Sequence, residues 1–167
     1  MHVIEKLEVS NVFALLEGSW ELRRSIPNYG NMEGMATFTK GGTDILNYKE
    51  TGTMELTNRK KFTAYREYQY RYEDGTIAVF FRDNDRAGQL FHVLKFAGEG
   101  SEGESTATAC HVCKEDIYNA MYYFYGQEDR FNLTYQVKGP LKDYCSNTVF
   151  LRMRPSEKID IMDKKGK

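Results

Sequence analysis

Residues 61–82 read KFTAYREYQYRYEDGTIAVFFR, and this segment carries the clearest structural signal in the chain. Side chains of a strand point alternately to its two faces. One face of the first half therefore holds Phe62, Ala64, Arg66, Tyr68, Tyr70 and Tyr72. Asp74-Gly75 follows, a dipeptide that favours a tight hairpin turn, and Ile77, Val79 and Phe81 then alternate again. The segment predicts an antiparallel hairpin with strands at 61–72 and 76–82.

Similar alternating segments recur at nearly regular spacing on both sides of this hairpin. Turn residues such as Gly41-Gly42 and Gly139-Pro140 separate them. The other predicted strands cover residues 19–26, 34–40, 44–56, 89–96, 105–114, 118–126, 130–138 and 144–154. An alternative prediction divides the strand at 44–56 by a break at Gly52. About ten antiparallel strands in sequential hairpins predict an all-β fold, either an up-and-down barrel or a sandwich. We favour the barrel because closure removes exposed edge strands.

One helix is predicted before the first strand. The candidate helix spans residues 3–17, or only 11–17 if Ser10 or Asn11 caps it, and Gly18 ends it. The polar segment 155–167 is predicted to be a loose tail. We therefore expect one barrel domain over residues 1–154, followed by this tail.

Composition limits the classes of function. The 23 basic and 24 acidic residues nearly cancel, which does not favour a nucleic-acid partner. No apolar run is long enough for a membrane span, and the acidic N-terminal segment does not resemble a secretory signal. Three cysteines give no disulfide framework. These features predict a soluble, cytoplasmic protein in a reducing compartment.

Gly18-Ser19-Trp20, placed after a helix and at the start of the first strand, resembles the Gly-x-Trp signature of the calycin superfamily. In that superfamily a basic residue of the last strand covers the Trp at one barrel end. The resemblance implies that Arg152 or Arg154 supplies this cation over Trp20, an arrangement that stabilises by about 1–2 kcal/mol when desolvated.

A longer pattern extends the resemblance over residues 17–154. Its parts are GMATF at 34–38, YKETG at 48–52, YREY at 65–68, Phe91-His92, HVCKEDIY at 111–118 and GPLKDY at 139–144. Together they are similar to a lipocalin-like domain family of unknown function. The resemblance implies a calycin-like barrel and carries no activity with it.

Two neighbouring segments, residues 88–96 and 109–118, hold two of the three histidines and two of the three cysteines. Alternation puts His92 on a face with Leu90, Leu94 and Phe96, which would point it into the barrel. His111 and Cys113 share a face of the next strand, and Asp116 and Tyr118 follow at its end or in the turn. We expect the functional centre here.

Several chemistries fit these histidines. His92 is either a core histidine bonded to a Tyr or carboxylate, or a residue that contacts a ligand. Zinc coordination by His92, His111, Cys113 and Asp116 lacks the usual ligand spacing, so no metal site is predicted. Haem binding through one His, which the resemblance to calycin-like barrels suggests, and a Cys–His nucleophile are weaker alternatives. No cofactor is identified.

Arg66 is the second focus, because an inward arginine needs a carboxylate partner or an anionic ligand. Glu50 is a candidate partner if the strand register brings the two together, and an outward, solvated Arg66 is the alternative. Fatty-acid-binding barrels hold a carboxylate with inward Arg and Tyr, so the resemblance favours an anionic ligand. The predicted ligand-binding residues are Arg66, Tyr68, His92, His111, Cys113, Asp116 and Tyr118.

The preferred function is the binding of a small, mostly apolar or amphipathic molecule with a polar or anionic group inside the barrel. One alternative is an enzyme that uses His92 or His111 as a general base. Another is a structural subunit of a larger complex, with a protein partner on the aromatic segment 122–125. The segment 142–144 would form a turn with an internal ion pair, or a rim contact to a ligand or partner.

Overall fold

The computed structural model describes residues 7–98 and 100–154, and it forms one short helix followed by ten strands. The helix α1 spans Val9–Leu16. The strands are β1 Gly18–Ile26, β2 Gly30–Gly42, β3 Ile45–Leu56, β4 Lys61–Glu73, β5 Thr76–Phe81, β6 Leu90–Phe96, β7 Glu104–Cys113, β8 Asp116–Tyr125, β9 Arg130–Lys138 and β10 Asp143–Arg152. The segments 1–6 and 155–167, which include the predicted tail, lie outside the described residues.

The strands close into an antiparallel barrel in which each strand pairs with its neighbours in sequence, and β1 pairs with β10. In this closing register Trp20 lies opposite Arg152 on one side and opposite Ala36 on the other. The predicted all-β barrel of ten strands with an N-terminal helix is confirmed.

The central hairpin forms as its sequence predicts. Asp74 and Gly75 both have positive φ, at 51° and 75°, as a type I′ turn requires. Strand β3 runs unbroken through Gly52, so the alternative with a break there is wrong. Gly52 packs against Gly34 of the neighbouring strand, where a Cβ on Gly34 would lie 2.6 Å from the Gly52 Cα. The two glycines allow β2 and β3 to approach closely.

A bulge changes the face of one predicted residue. The pairing of β5 with β6 shifts between Val79, opposite His92, and Phe80, opposite Leu90. Phe91 and His92 are consequently both buried, whereas Leu90 is 49% exposed. The prediction that Leu90 shares the inner face with His92 is wrong, since strict alternation does not hold across a bulge.

The two ends of the barrel differ. Helix α1 covers the end that holds the connections β2–β3, β4–β5, β6–β7 and β8–β9, and we call this the closed end. Val12 and Leu16 of the helix are buried in the same core as Trp20. The core beneath it is aromatic and includes Phe38, Phe124, Phe131 and Phe150. We call the opposite end, with the connections β1–β2, β3–β4, β5–β6, β7–β8 and β9–β10, the open end.

The helix is shorter than the longest prediction and begins earlier than the shortest one. Ser10 and Asn11 lie inside it and do not cap it, since Glu8 occupies the N-cap position without a side-chain hydrogen bond. None of the helices in the described residues has the length and apolar character needed to cross a bilayer.

Candidate functional site

A cavity of about 700 Å³ occupies the open half of the barrel. The side chains around it include apolar, aromatic and charged groups from nearly every strand. Those on which the site depends are Arg24, Tyr48, Glu50, Arg66, Tyr68, Phe91, His111, Tyr118, Tyr135 and Lys142. Its size lies within the range of small-molecule sites in proteins.

A buried ion pair forms one wall of the cavity. Arg24 donates to both carboxylate oxygens of Glu50, over 2.7 and 3.0 Å, and its Nε donates to the Thr148 hydroxyl over 2.8 Å. Tyr48 donates its hydroxyl to Glu50 over 2.7 Å. Such a pair is stable only when the remaining hydrogen-bonding positions are also filled, and here Thr148 and Tyr48 fill them.

Electrostatics keep Glu50 ionised in this wall. Burial alone would raise the pKa of the carboxyl group, but the Arg24 guanidinium and the hydrogen bonds from Arg24 and Tyr48 bring it below its usual value. Burial also raises the pKa of the Tyr48 hydroxyl well above its usual value. Tyr48 therefore remains a neutral donor. The ion pair of Arg24 and Glu50 has few hydrogen-bonding positions left for another partner.

Arg66 extends into the cavity from the next strand. The register of β3 and β4 places it directly opposite Glu50, the condition under which the two were expected to pair. Glu50 instead forms its ion pair with Arg24, while Arg66 has one side-chain hydrogen bond, from Nη1 to the Tyr68 hydroxyl over 3.2 Å. Among residues 7–98 and 100–154, no carboxylate forms an ion pair with it.

His92 lies behind the cavity lining. Its side chain is buried, and its ring lies against that of Phe91, with centroids 4.1 Å apart and the planes tilted by 31°. Nε2 shares a hydrogen bond of 3.0 Å with the Tyr122 hydroxyl, whereas Nδ1 has no partner in the described part of the chain. Burial, aided by nearby His111, lowers the pKa of His92 to about 3. The imidazole is therefore neutral at physiological pH.

His111 does line the cavity, opposite the charged wall. Its ring packs edge-on against Phe91, with centroids 5.1 Å apart, and lies 5.8 Å from Tyr118. Strand β7 thus brings one histidine to the cavity surface, and β6 brings the other to the layer beneath it.

The turn residues of the cavity mouth form a small exposed network. Lys142 donates to the Tyr118 hydroxyl over 2.8 Å and lies 3.3 Å from Asp116. Asp116 and Tyr118 belong to β8, so they follow the β7–β8 turn and do not lie within it. In the segment 142–144, Lys142 thus forms its ion pair with Asp116, a residue outside the segment, and the ion pair is not internal to the turn. Tyr144 of the same segment lines the cavity mouth.

The predicted binding residues therefore divide into two groups. Arg66, Tyr68, His111 and Tyr118 line the cavity, while His92, Cys113 and Asp116 do not. Cys113 accepts a weak hydrogen bond from Arg86 Nη2 at 3.6 Å. No cluster of three or more His, Cys, Asp or Glu residues suited to a metal ion occurs in the described ranges.

Sequence reasoning missed Arg24 and Tyr135 as cavity residues. Strand alternation could have found Arg24, because it shares a face with Trp20 and Leu22, both fully buried. The pairing of Arg24 with Glu50 depends on strands β1 and β3, which are not adjacent, and no local pattern predicts that contact.

At the closed end, Arg152 covers Trp20 with its guanidinium carbon 4.3 Å from the ring centroid. The same side chain donates to the Glu17 carbonyl over 3.0 Å, to the Leu15 carbonyl and to Asp129 over 3.0 Å. Trp20 Nε1 donates to the Leu16 carbonyl over 2.9 Å. Helix α1 is thereby attached to the barrel through its C-terminal carbonyl groups, where a cation is favoured.

A closed ten-stranded antiparallel barrel with an internal cavity defines the class of this protein. Residues 16–152 match the model of a family of unknown function, DUF6314, and the chain belongs to that family. The resemblance to a lipocalin-like family of unknown function is thus confirmed. A comparison with curated protein sequences found no match.

A comparison with solved structures supports the fold through one of its matches. Rv2717c from M. tuberculosis is 15% identical, with a TM-score of 0.51, and the alignment covers 90% of this chain and 100% of that one. A redesigned β-barrel is 9% identical with a TM-score of 0.41, covering 91% and 100%. The redesigned barrel mFAP1, solved with DFHBI bound, is 10% identical with a TM-score of 0.39, covering 84% and 97%. At 15% identity the likeness to Rv2717c concerns the fold alone.

Proposed function

We propose that the protein binds a small, mostly apolar molecule that carries an anionic group, and that Arg66 holds this group. One observation supports the proposal most directly: Arg66 extends into a cavity of about 700 Å³ with a single phenol as its side-chain partner. The side chain is exposed to solvent in the cavity and donates one side-chain hydrogen bond, so its remaining guanidinium donors are available to an anionic group.

The neighbouring groups favour a carboxylate or a similar planar anion. Tyr68 lies beside the guanidinium, and burial raises the pKa of its hydroxyl above the usual value, so it stays a neutral donor. A guanidinium fork fits two anionic oxygens at once, and the phenol can donate to the same anion. Glu50, the nearest fixed negative charge across the strand pair, is neutralised by Arg24.

Several apolar side chains of the lining suit the apolar part of the ligand. Phe81 and Phe91 pack against both Tyr68 and His111, and Leu133 and Val137 also line the cavity. Beneath them the buried hydroxyls of Tyr70 and Tyr122, 3.5 Å apart, and the aromatic core end the cavity. The ligand thus has one polar contact and several apolar contacts, the usual composition of small-molecule pockets.

The test is the affinity for saturated alkyl carboxylates, measured by isothermal titration calorimetry. Arg66→Gln should weaken binding about ten- to a hundredfold, because one charge-assisted hydrogen-bonding group is lost. Arg23→Gln is the matched control, since Arg23 lies on the outer face of β1 with a side chain 65% exposed. Equal affinities of wild type and Arg66→Gln would contradict the proposal.

The other functions considered from the sequence receive less support. A general base must reach its substrate and be basic enough to accept a proton. His92 is separated from the cavity by Phe91 and its pKa is lowered to about 3, so this alternative rests on His111, which lines the cavity. A structural role for a filled barrel is disfavoured by the open cavity. Cys110, Cys113 and Cys145 are all unpaired thiols, and we infer from them a reducing, intracellular compartment. We further propose that residues 1–154 act as one domain.

A further inference from the structure

Exposed apolar side chains concentrate around the cavity mouth. Ten large hydrophobic residues are exposed in the described part of the chain, and eight of them lie at or near the open-end connections: Tyr29, Phe62, Tyr65, Leu90, Val112, Ile117, Leu141 and Tyr144. We call these eight residues the apolar rim. Leu141, at the tip of the β9–β10 turn, is 98% exposed. Such a concentration at one end marks an interaction surface.

The rim and the cavity share residues. Tyr29, Phe62, Tyr65 and Tyr144 are exposed to solvent and also line the cavity. Whatever covers the rim therefore also covers the entrance through which a ligand must pass.

Charge is distributed unequally between the two ends. The described segments that join strands at the closed end, 43–44, 74–75, 97–98, 100–103 and 126–129, contain acidic residues and no Lys or Arg: Asp44, Asp74, Glu102, Glu128 and Asp129. Those at the open end, 27–29, 57–60, 82–89, 114–115 and 139–142, hold six basic residues, Arg59, Lys60, Arg82, Arg86, Lys114 and Lys142, against the acidic Asp83, Asp85 and Glu115. An anionic surface would attract the open end and repel the closed end.

We propose that the apolar rim docks on an anionic lipid bilayer, with the cavity mouth facing the lipid. Tyrosine rings favour the headgroup level of a membrane, and apolar side chains that enter the interface add binding energy in proportion to their buried area. Basic residues around the rim add attraction to anionic lipids. Apolar side chains on the turns and adjoining strand segments around an opening suit a deformable lipid surface better than a rigid protein partner.

Docking in this orientation connects the cavity with a reservoir of amphiphiles. A molecule with an apolar part and an anionic group partitions into bilayers, and it could enter the barrel between the rim residues without crossing water. This exchange step rests on the proposed function; the docking itself does not.

Vesicle flotation tests the apolar part of the surface. The full chain should float with vesicles of phosphatidylcholine mixed with phosphatidylglycerol and should float much less with phosphatidylcholine alone. Leu141→Asp should reduce the bound fraction severalfold, and an exposed turn position tolerates the change without unfolding. Leu151→Asp is the matched control, because Leu151 is an exposed leucine near the closed end, and it should bind as wild type does.

A charge variant tests the electrostatic part. Replacing Arg59 and Lys60 by Gln should weaken binding to the mixed vesicles about thirtyfold, since each basic residue near an anionic surface contributes about 1 kcal/mol. Lys95→Gln, an exposed lysine on β6 towards the closed end, should leave binding unchanged. Added salt should weaken the wild-type interaction by screening.

The docking proposal is overturned if the wild type does not float with the mixed vesicles at low salt, or if Leu141→Asp and Leu151→Asp behave alike. Carboxylate binding measured in the absence of vesicles separates the two proposals. Retained carboxylate binding without flotation overturns docking alone, whereas flotation without carboxylate binding supports docking and overturns the cavity function.

Discussion

The two ends of the barrel each place an arginine beside aromatic rings, and the two arginines differ in their partners. Arg152 at the closed end stacks on Trp20 and donates to two carbonyl groups and one carboxylate. Arg66 in the open half donates to one phenol. The chain supplies every partner of the first guanidinium and leaves the second incompletely bonded. The first therefore stabilises the fold, and the second is available to a ligand.

The same contrast holds for the packing around them. At the closed end Trp20, Leu22 and Phe131 are each at most 1% exposed. At the open end Phe62 and Tyr65 are about half exposed, at 46% and 55%. Stability should therefore depend on the closed end, and recognition on the open end.

The largest expected effect is on stability at the closed end. Trp20→Ala should lower the free energy of unfolding by about 3–5 kcal/mol, because it removes a fully buried ring and the surface on which Arg152 rests. Phe62→Ala, the open-end comparison, should change it by less than about 1 kcal/mol. Urea denaturation measures both, and similar losses at the two ends would contradict this division.

The next largest effect on stability is expected at the buried ion pair of Arg24 and Glu50. Arg24→Met should destabilise the protein by about 3 kcal/mol or more, because it leaves the Glu50 carboxylate buried and unpaired. Adding Glu50→Gln to this variant should restore part of the loss, since a neutral amide is cheaper to bury. Arg23→Met, on the outer face of the same strand, is the control. A double variant less stable than Arg24→Met would count against the interpretation.

A pH effect of intermediate size should arise from His92. The pKa of His92 is lowered from 6.5 to about 3 in the folded protein, so its neutral form is favoured on folding. The free energy of unfolding that depends on neutral His92 is fully present above pH 6.5, and it decreases as the pH falls from 6.5 towards 3. Between pH 7 and pH 5 the loss should be about 2 kcal/mol.

Urea denaturation of the wild type and of His92→Gln at both pH values measures this contribution. The variant should lose about 2 kcal/mol less than the wild type over the same interval. Equal losses would show that His92 is not held neutral by its burial.

The smallest effect is expected at the exposed rim network. Lys142→Met removes the ion pair with Asp116 and the hydrogen bond to Tyr118, but its side chain is 43% exposed. Exposed ion pairs contribute about 0–1 kcal/mol, so the midpoint of urea denaturation should barely move. A large loss of stability would show that this open-end contact stabilises the fold, contrary to the difference between the two ends of the barrel.

Most of the fold could be predicted from alternation and turn residues. The hairpin at 61–82 and the order of strands follow from local patterns, because side-chain period and turn chemistry are local properties. The bulge at Phe91 could not be predicted, since it depends on how β5 and β6 pair. This is why Leu90 was assigned to the wrong face.

The candidate site was predictable only in part. Alternation correctly groups Arg66 with Tyr68, but it does not show that Glu50 bonds Arg24, on a strand that is not its neighbour. The depth of His92 behind Phe91 likewise depends on the layers of the closed barrel. Which inward residues reach a cavity and which fill the core is decided by packing across the barrel, and no strand encodes it alone.

We propose that the open half of the barrel recognises the anionic group of an amphiphile through Arg66. The most direct measurement is a calorimetric cycle that compares an alkyl carboxylate with the alcohol of equal chain length, on wild type and on Arg66→Gln. The wild type should prefer the carboxylate by about tenfold or more, and Arg66→Gln should abolish this preference while the affinity for the alcohol is preserved. An unchanged preference for the carboxylate in Arg66→Gln would contradict it.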